Sequence, residues 1–200
     1  MKKKTLILLV GETGCGKDTV ANKLPYPKVV SYKTGPLRNS DVEGVTHFFI
    51  SDEEMDALED KGGLIAWTKT GDIRYCATMD QLKADINIYI INPDGVRCFK
   101  ENYKGDDLNI IVIGLYLPLG IRQSRCRLRS DFKSTFENRV LAEQNDYDRF
   151  RLDGEFDYMI KNEDSNKTAF IIYSILNTEV SYKWGNKSAM VSISPLKGGC

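Results

Sequence analysis

The chain has little that would suit it to metal, secretory or membrane chemistry. Its five cysteines, Cys15, Cys76, Cys98, Cys126 and Cys200, are scattered, with no Cys-x-x-Cys pair. With one histidine in the chain, this odd, dispersed set supports neither a zinc site nor a disulfide framework. A net charge is also lacking, since Lys plus Arg number 28 and Asp plus Glu number 28. No global field draws a polyanion or a membrane surface, so neither nucleic acid nor membrane is expected as a partner. Long apolar runs are missing too. Met1-Lys2-Lys3-Lys4 precedes only the short run Leu6-Ile7-Leu8-Leu9-Val10, too little for a signal peptide or a membrane span, and the expectation is a cytoplasmic protein. No internal repeat or low-complexity linker divides the sequence. With 200 residues, 42% hydrophobic and 28% charged, it can bury one real core and carry a small inserted lobe.

What is present begins directly after that first apolar run, at Gly11-Glu12-Thr13-Gly14-Cys15-Gly16-Lys17-Asp18-Thr19. A buried strand entering a glycine-rich turn and then a helix is the arrangement that cradles nucleotide phosphates. Glycines let the backbone approach an anion so that successive N–H groups point at it. The helix N-terminus adds partial positive charge and Lys17 a full one. Four residues separate Gly11 from Gly16, and Lys17 follows, which is the phosphate-loop spacing. Thr13, Gly14, Cys15, Gly16, Lys17, Asp18 and Thr19 are therefore read, with Gly11, as nucleotide-binding. Asp18 departs from the pattern, standing where a magnesium-binding Ser or Thr is expected. Cys15 is either a thiol activated by an electropositive loop or a small filler residue.

Four further apolar runs read as buried parallel strands: residues 28–31, 86–91, 110–117 and 156–160. With the first they make five, separated mostly by helical patterns, which predicts an α/β sheet covered on both faces. Ligands collect beyond the carboxyl ends of such strands, where the glycine-rich turn lies. Between Tyr32 and Leu82 the pattern changes. Residues 45–50, 64–68 and 73–76 read as short antiparallel strands. Ser51 with Glu54 forms a capping-box signature for a helix that Gly62-Gly63 stops. This stretch, 32–82, is expected to be an inserted lobe facing the turn and suited to a second substrate; 1–31 and 83–200 form the core.

Arg122, Arg125 and Arg129 fall at i, i+3 and i+7 and share one helical face. A second helix follows, with Phe132, Phe136 and Val140 as its apolar stripe and Arg139 beside it. Arginines near a phosphate loop suit phosphoryl transfer, in which the protein mostly positions reactants and neutralises the migrating charge. The planar guanidinium holds two oxygens at once. The plain alternative is a solvated basic face paired with Glu143, Asp146 and Asp148. The last helix is expected over 165–176, and the tail 178–200 shows no clear period.

These residues carry a resemblance to the guanylate kinase family. The stretch Ser31-Tyr32-Lys33-Thr34-Gly35-Pro36-Leu37-Arg38, with residues 41–51 after it, resembles that family's acceptor-binding signature. Residues 63–67 and 74–78 resemble its next two blocks, Leu128-Arg129 and Glu137-Asn138-Arg139 its lid, and 157–162 its final strand and loop. The resemblance implies a P-loop kinase fold: a five-stranded parallel sheet flanked by helices, an inserted mixed α/β acceptor-binding lobe, and a helical lid at about 119–139. It implies a nucleoside monophosphate kinase that transfers the γ-phosphoryl group of MgATP to GMP, dGMP or a related monophosphate. Lys17, Arg125, Arg129 and Arg139 would then be catalytic. Arg38 and Tyr75 would hold the acceptor phosphate, Ser31 would touch the base, and Asp41, His47 and Thr78 would complete the acceptor site. His47 stands where the family usually has a tyrosine; it is equally readable as a packing residue between aromatic neighbours. For Mg²⁺ the candidates are Asp18, acting through water, and Thr19, because the strand ending Ile90-Ile91-Asn92 carries no acid.

The departures bear on specificity. Gly35 replaces a phosphate-binding arginine, Ala66 a glutamate that reads guanine, and Ala77 a serine that contacts the base. A hydrogen bond to a charged group contributes roughly 1.5–3 kcal/mol, so guanine discrimination is weakened or the preferred monophosphate differs. A catalytically silent guanylate-kinase-like module that binds a protein in the acceptor cleft is the alternative.

Overall fold

A computed structural model describes residues 3–37, 41–127 and 132–182. In chain order the first half runs β1 (Lys4–Gly11), α1 (Lys17–Ala21), β2 (Tyr32–Lys33), β3 (Phe48–Phe49), α2 (Asp52–Lys61), β4 (Leu64–Thr70) and β5 (Ile73–Thr78). The second half runs β6 (Ile86–Ile90), α3 (Pro93–Asn102), β7 (Leu108–Tyr116), α4 (Leu119–Cys126), α5 (Phe132–Leu152), β8 (Tyr158–Lys161) and α6 (Ser165–Tyr182).

The apolar run of β1 sits at the middle of a parallel sheet ordered β6-β1-β7-β8. Leu6 through Val10 are wholly buried because helices cover both faces, as an all-parallel sheet demands. On one face Leu6, Leu8 and Val10 pack with Val96, Phe99, Tyr147 and Phe150; on the other, Ile7 and Leu9 pack with Val20, Ile172 and Leu176. The alternation along β1 thus splits the core into two layers. No helix among the described residues is long and apolar enough to cross a membrane.

The expectation of five parallel strands is corrected to four among the described residues. Residues 28–31 contribute one bridge, Lys28 to Ile88, continued by the Val29 N–H donating to Ile88 O at 2.7 Å. The next two carbonyls are taken from elsewhere. Val30 O accepts from the Gln81 side chain at 2.6 Å and Ser31 O from the Phe48 N–H at 2.9 Å, which draws the chain away from the ladder.

It enters a second sheet instead, ordered β3-β2-β5-β4. Here too an expectation is corrected, since these strands are not all antiparallel: β3 runs parallel to β2. β3 is also short, because residues 42–46 form a turn in which Val42 O accepts from the N–H groups of Val45 and Thr46. β4 and β5 pair antiparallel, with an irregularity between Leu64 and Ala66. α2 starts at the foreseen box: the Ser51 hydroxyl accepts from the Glu54 N–H at 3.1 Å, and the Glu54 carboxylate from the Ser51 N–H at 2.8 Å.

Candidate active site

The glycine-rich turn leaves the carboxyl end of β1 and is gripped from four directions. Gly14 and Gly16 adopt left-handed φ of 87° and 83°, which side chains resist. Space excludes them as well. A Cβ on Gly14 would lie 2.9 Å from the Arg122 backbone oxygen, and one on Gly16 2.8 Å from Asn162 Nδ2. Asn162, buried after β8, donates to Cys15 O at 2.7 Å, and its own Oδ1 has no hydrogen-bond partner. From α4 the buried Arg122 bonds Thr13 O at 3.2 Å and pairs with Glu12 at 2.8 Å. Lys17 Nζ turns back onto the carbonyls of Gly11 and Glu12.

α5 supplies the fourth grip through residues spaced by four. Glu143 accepts from the Thr13 N–H at 2.8 Å and from its hydroxyl at 2.7 Å. One turn later the Tyr147 hydroxyl donates to Gly11 O at 3.0 Å, and one turn after that Arg151 pairs with Glu12 at 2.9 Å. Residues at i, i+4 and i+8 lie along one face, so α5 runs beside the turn. The half-buried Arg139, a turn before Glu143, extends this row.

Lys17, Glu143 and Tyr147 face a cleft of about 250 Å³ whose other walls are Ser31, His47, Thr68, Tyr75, Tyr89, Ile90, Ile91 and Asn92. The second sheet supplies Thr68 and Tyr75, and β6 supplies Tyr89. Ser31 Oγ donates to Tyr89 OH at 3.2 Å. Burial pushes the Tyr89 phenol up to about 12, so this wall is neutral near pH 7. The His47 ring meets Tyr75 edge-on at 5.5 Å and Phe49 at 6.0 Å.

Among the residues singled out in the sequence, Lys17, Ser31, His47 and Tyr75 therefore share one cleft. Arg125 lies beside the turn, its Nη1 3.6 Å from the point a Gly16 Cβ would occupy, and its Nη2 donates to Glu163 O at 2.8 Å. Asp41 is paired with Lys33 at 3.0 Å. Thr78 caps the short turn 79–81, bonded to Asp80 and Gln81, and is not a wall of the cleft. Arg38 and Arg129 lie outside the described residues. Cys15 is wholly buried and burial pushes its thiol up, which fits the filler reading rather than the activated one. Asp18 and Thr19 are exposed at the start of α1, and their hard oxygens suit Mg²⁺. Among the described residues no cluster of three His, Cys, Asp or Glu could hold a metal ion.

The acidic run of α5 does not pair with the α4 arginines. Asp146 pairs with Arg97 at 2.5 Å, Asp148 with Arg151, and Glu143 is bonded to Thr13. Sequence reasoning gave no part in the site to Glu12, Tyr147, Asn162 and Tyr89, and it placed Arg122 in the arginine cluster and Glu143 among that cluster's possible partners without foreseeing that both hold the turn. The four-residue spacing of 139, 143, 147 and 151 was the available signal for the α5 members.

A family model described as Guanylate kinase matches residues 2–93. A curated guanylate kinase of Malacoplasma penetrans is 26% identical over 196 residues, covering 91% of this chain and 97% of that protein. One of Helicobacter pylori is 29% identical over 189 residues, covering 88% of this chain and 87% of that protein. A crystal structure of guanylate kinase from Anaplasma phagocytophilum aligns with a TM-score of 0.62 at 20% identity, over 90% of this chain and 87% of that one, which is a likeness of fold. In sequence over most of its length, and in fold, this protein resembles the guanylate kinase family.

Proposed function

We propose that this protein is a nucleoside monophosphate kinase that moves the γ-phosphoryl group of ATP to GMP, dGMP or a related monophosphate. One observation carries the reading. Lys17 and the side chains read as the acceptor face, Ser31, His47 and Tyr75, line the same cleft. Two anionic substrates entering from opposite sides would meet there, with the lysine beside the phosphates. The turn supplies backbone N–H groups and a helix N-terminus to the donor. Arg125 and Arg139, with Arg129 and Arg38, neutralise the charge that spreads over the migrating group. Residues 32–82 form the acceptor lobe, and 119–139 the lid, within a core of 1–31 and 83–200. Mg²⁺ would be held by Thr19 or through water by Asp18, and there it would offset the negative charge of the phosphates.

A panel of monophosphates assayed with ATP by coupled ADP release tests the reading, and turnover of at least one is expected. Lys17→Ala should lower kcat by about 10²-fold or more, the scale seen when one charge-stabilising donor is removed. Near-normal turnover by that variant removes Lys17 from the chemistry. A second reading, a binding module without catalysis, draws support from Ala66 and Ala77. They are buried opposite each other on β4 and β5, where the family resemblance leads one to expect base-reading side chains. Silence across the panel with ATP binding intact would favour it.

A further inference from the structure

Glu12 and Glu143 both place a carboxylate at the glycine-rich turn, and they differ in what answers the charge. Glu12 is met by two guanidinium groups, Arg122 at 2.8 Å and Arg151 at 2.9 Å. Glu143 is met by neutral donors, the Thr13 N–H at 2.8 Å and the Thr13 hydroxyl at 2.7 Å. Its two oxygens thus take two adjacent donors, as two oxygens of a phosphate would. A turn of this form binds anions through such donors. Glu143 also lines the cleft that Lys17 lines, so its charge lies where the charge of a bound polyphosphate would fall.

The carboxylate belongs to α5, on the face that holds Tyr147 against Gly11 and Arg151 against Glu12. Arg139 stands on that face one turn before it. A contact between Glu143 and Thr13 therefore fixes the end of α5 nearest Arg139 against the turn.

We propose that Glu143 is an internal anion of the donor site: it competes with the incoming polyphosphate for Thr13 and gives way when that ligand binds, which frees the Arg139 end of α5 to adjust. The inference rests on reading the turn as a nucleoside triphosphate site. Glu143 acts through Thr13 and α5 and is a positioning residue. A purely structural brace makes the opposite prediction. Removing a brace loosens the turn and weakens ligand binding, whereas removing a competing anion strengthens it.

The test is calorimetric titration of the full chain and of Glu143→Gln and Glu143→Ala with two probes, inorganic pyrophosphate and MgATP. Both variants should bind pyrophosphate about tenfold more tightly, equivalent to about 1.4 kcal/mol. The gain should shrink as salt is raised, because the repulsion removed is electrostatic. Thr13→Ala, which removes one of the two donors, should show a smaller difference between its own parent and its Glu143→Gln double variant. Unchanged or weaker binding in the variants overturns the proposal. If Glu143→Ala does not fold, Glu143→Gln, of nearly the same shape, decides alone. Variants that gain nothing while the parent phosphorylates a monophosphate sink this inference and leave the kinase reading standing. A parent that binds neither probe sinks both.

Discussion

Lys33 carries an ammonium group on a side chain that is 1% exposed. Burying a lysine is tolerated only where its charge is answered, and three groups answer it. Asp41 lies 3.0 Å away, Pro36 O 3.3 Å away, and the Phe49 ring faces the ammonium at 5.0 Å. Asp41 is itself 8% exposed in its side chain, so both charges have left water. Such a pair gives little net stability over an apolar one, yet breaking it from one side leaves a charge stranded. Asp41→Ala should therefore lower unfolding stability by about 3–5 kcal/mol in urea titration. The double change Lys33→Met with Asp41→Leu should recover most of that loss. A single variant as stable as the parent would mean that water reaches Lys33. The family resemblance drew attention to Asp41 as an acceptor residue, and nothing in the sequence marked Lys33. A lysine between Tyr32 and Thr34 has no local pattern of burial, and its partner is eight residues away in the sequence.

Elements whose signals are local were legible, and those defined by distant partners were less so. α2 is the clearest instance. Ser51 and Glu54 form the reciprocal bonds that the sequence spacing implies, and Gly62 ends the helix at φ 74°. Because the cap is exposed, its removal is felt mainly by the helix itself. Ser51→Ala should cost about 1 kcal/mol, read as a shift of the urea midpoint at constant slope, and Ser51→Asp should restore it. A null effect would show that Arg74, which bonds Asp52 and Asp56 on the same helix, holds the first turn without the cap. The run 28–31 shows the opposite case. Its apolar character is that of a central strand, and only the competing bonds from Gln81 and Phe48 confine it to one bridge. Those competitors lie far along the chain, so no window of local sequence contains them. α6 likewise extends past the expected end at 176 to Tyr182, since the sequence there offers no glycine or proline to stop it.

At the scale of the whole molecule, the half of the site built on β1 and α1 was readable, because strand, turn and helix adjoin in sequence. The supports from Arg122, Glu143 and Asn162 reach the turn across more than a hundred residues and required the fold. The same fold buries two weak acids beside the cleft. Tyr89 on β6 and Cys76 on β5 are 4% and 0% exposed, and burial pushes both up to about 12. Their ordinary values are 10.0 and 9.0, which the unfolded chain restores. Below pH 9 both groups are protonated in either state and add no pH dependence. Between pH 9 and 12 the unfolded chain releases these protons while the folded one keeps them, so stability falls as pH rises. Each unit of displacement corresponds to about 1.4 kcal/mol, and a loss of a few kcal/mol is expected across that window. Urea midpoints at pH 8, 9.5 and 11 measure it. Tyr89→Phe should flatten the upper part of the curve and Cys76→Ala the lower. Midpoints that stay level to pH 11 would mean that water reaches both groups, and the burial of Tyr89 and Cys76 would have to be abandoned with the shifts.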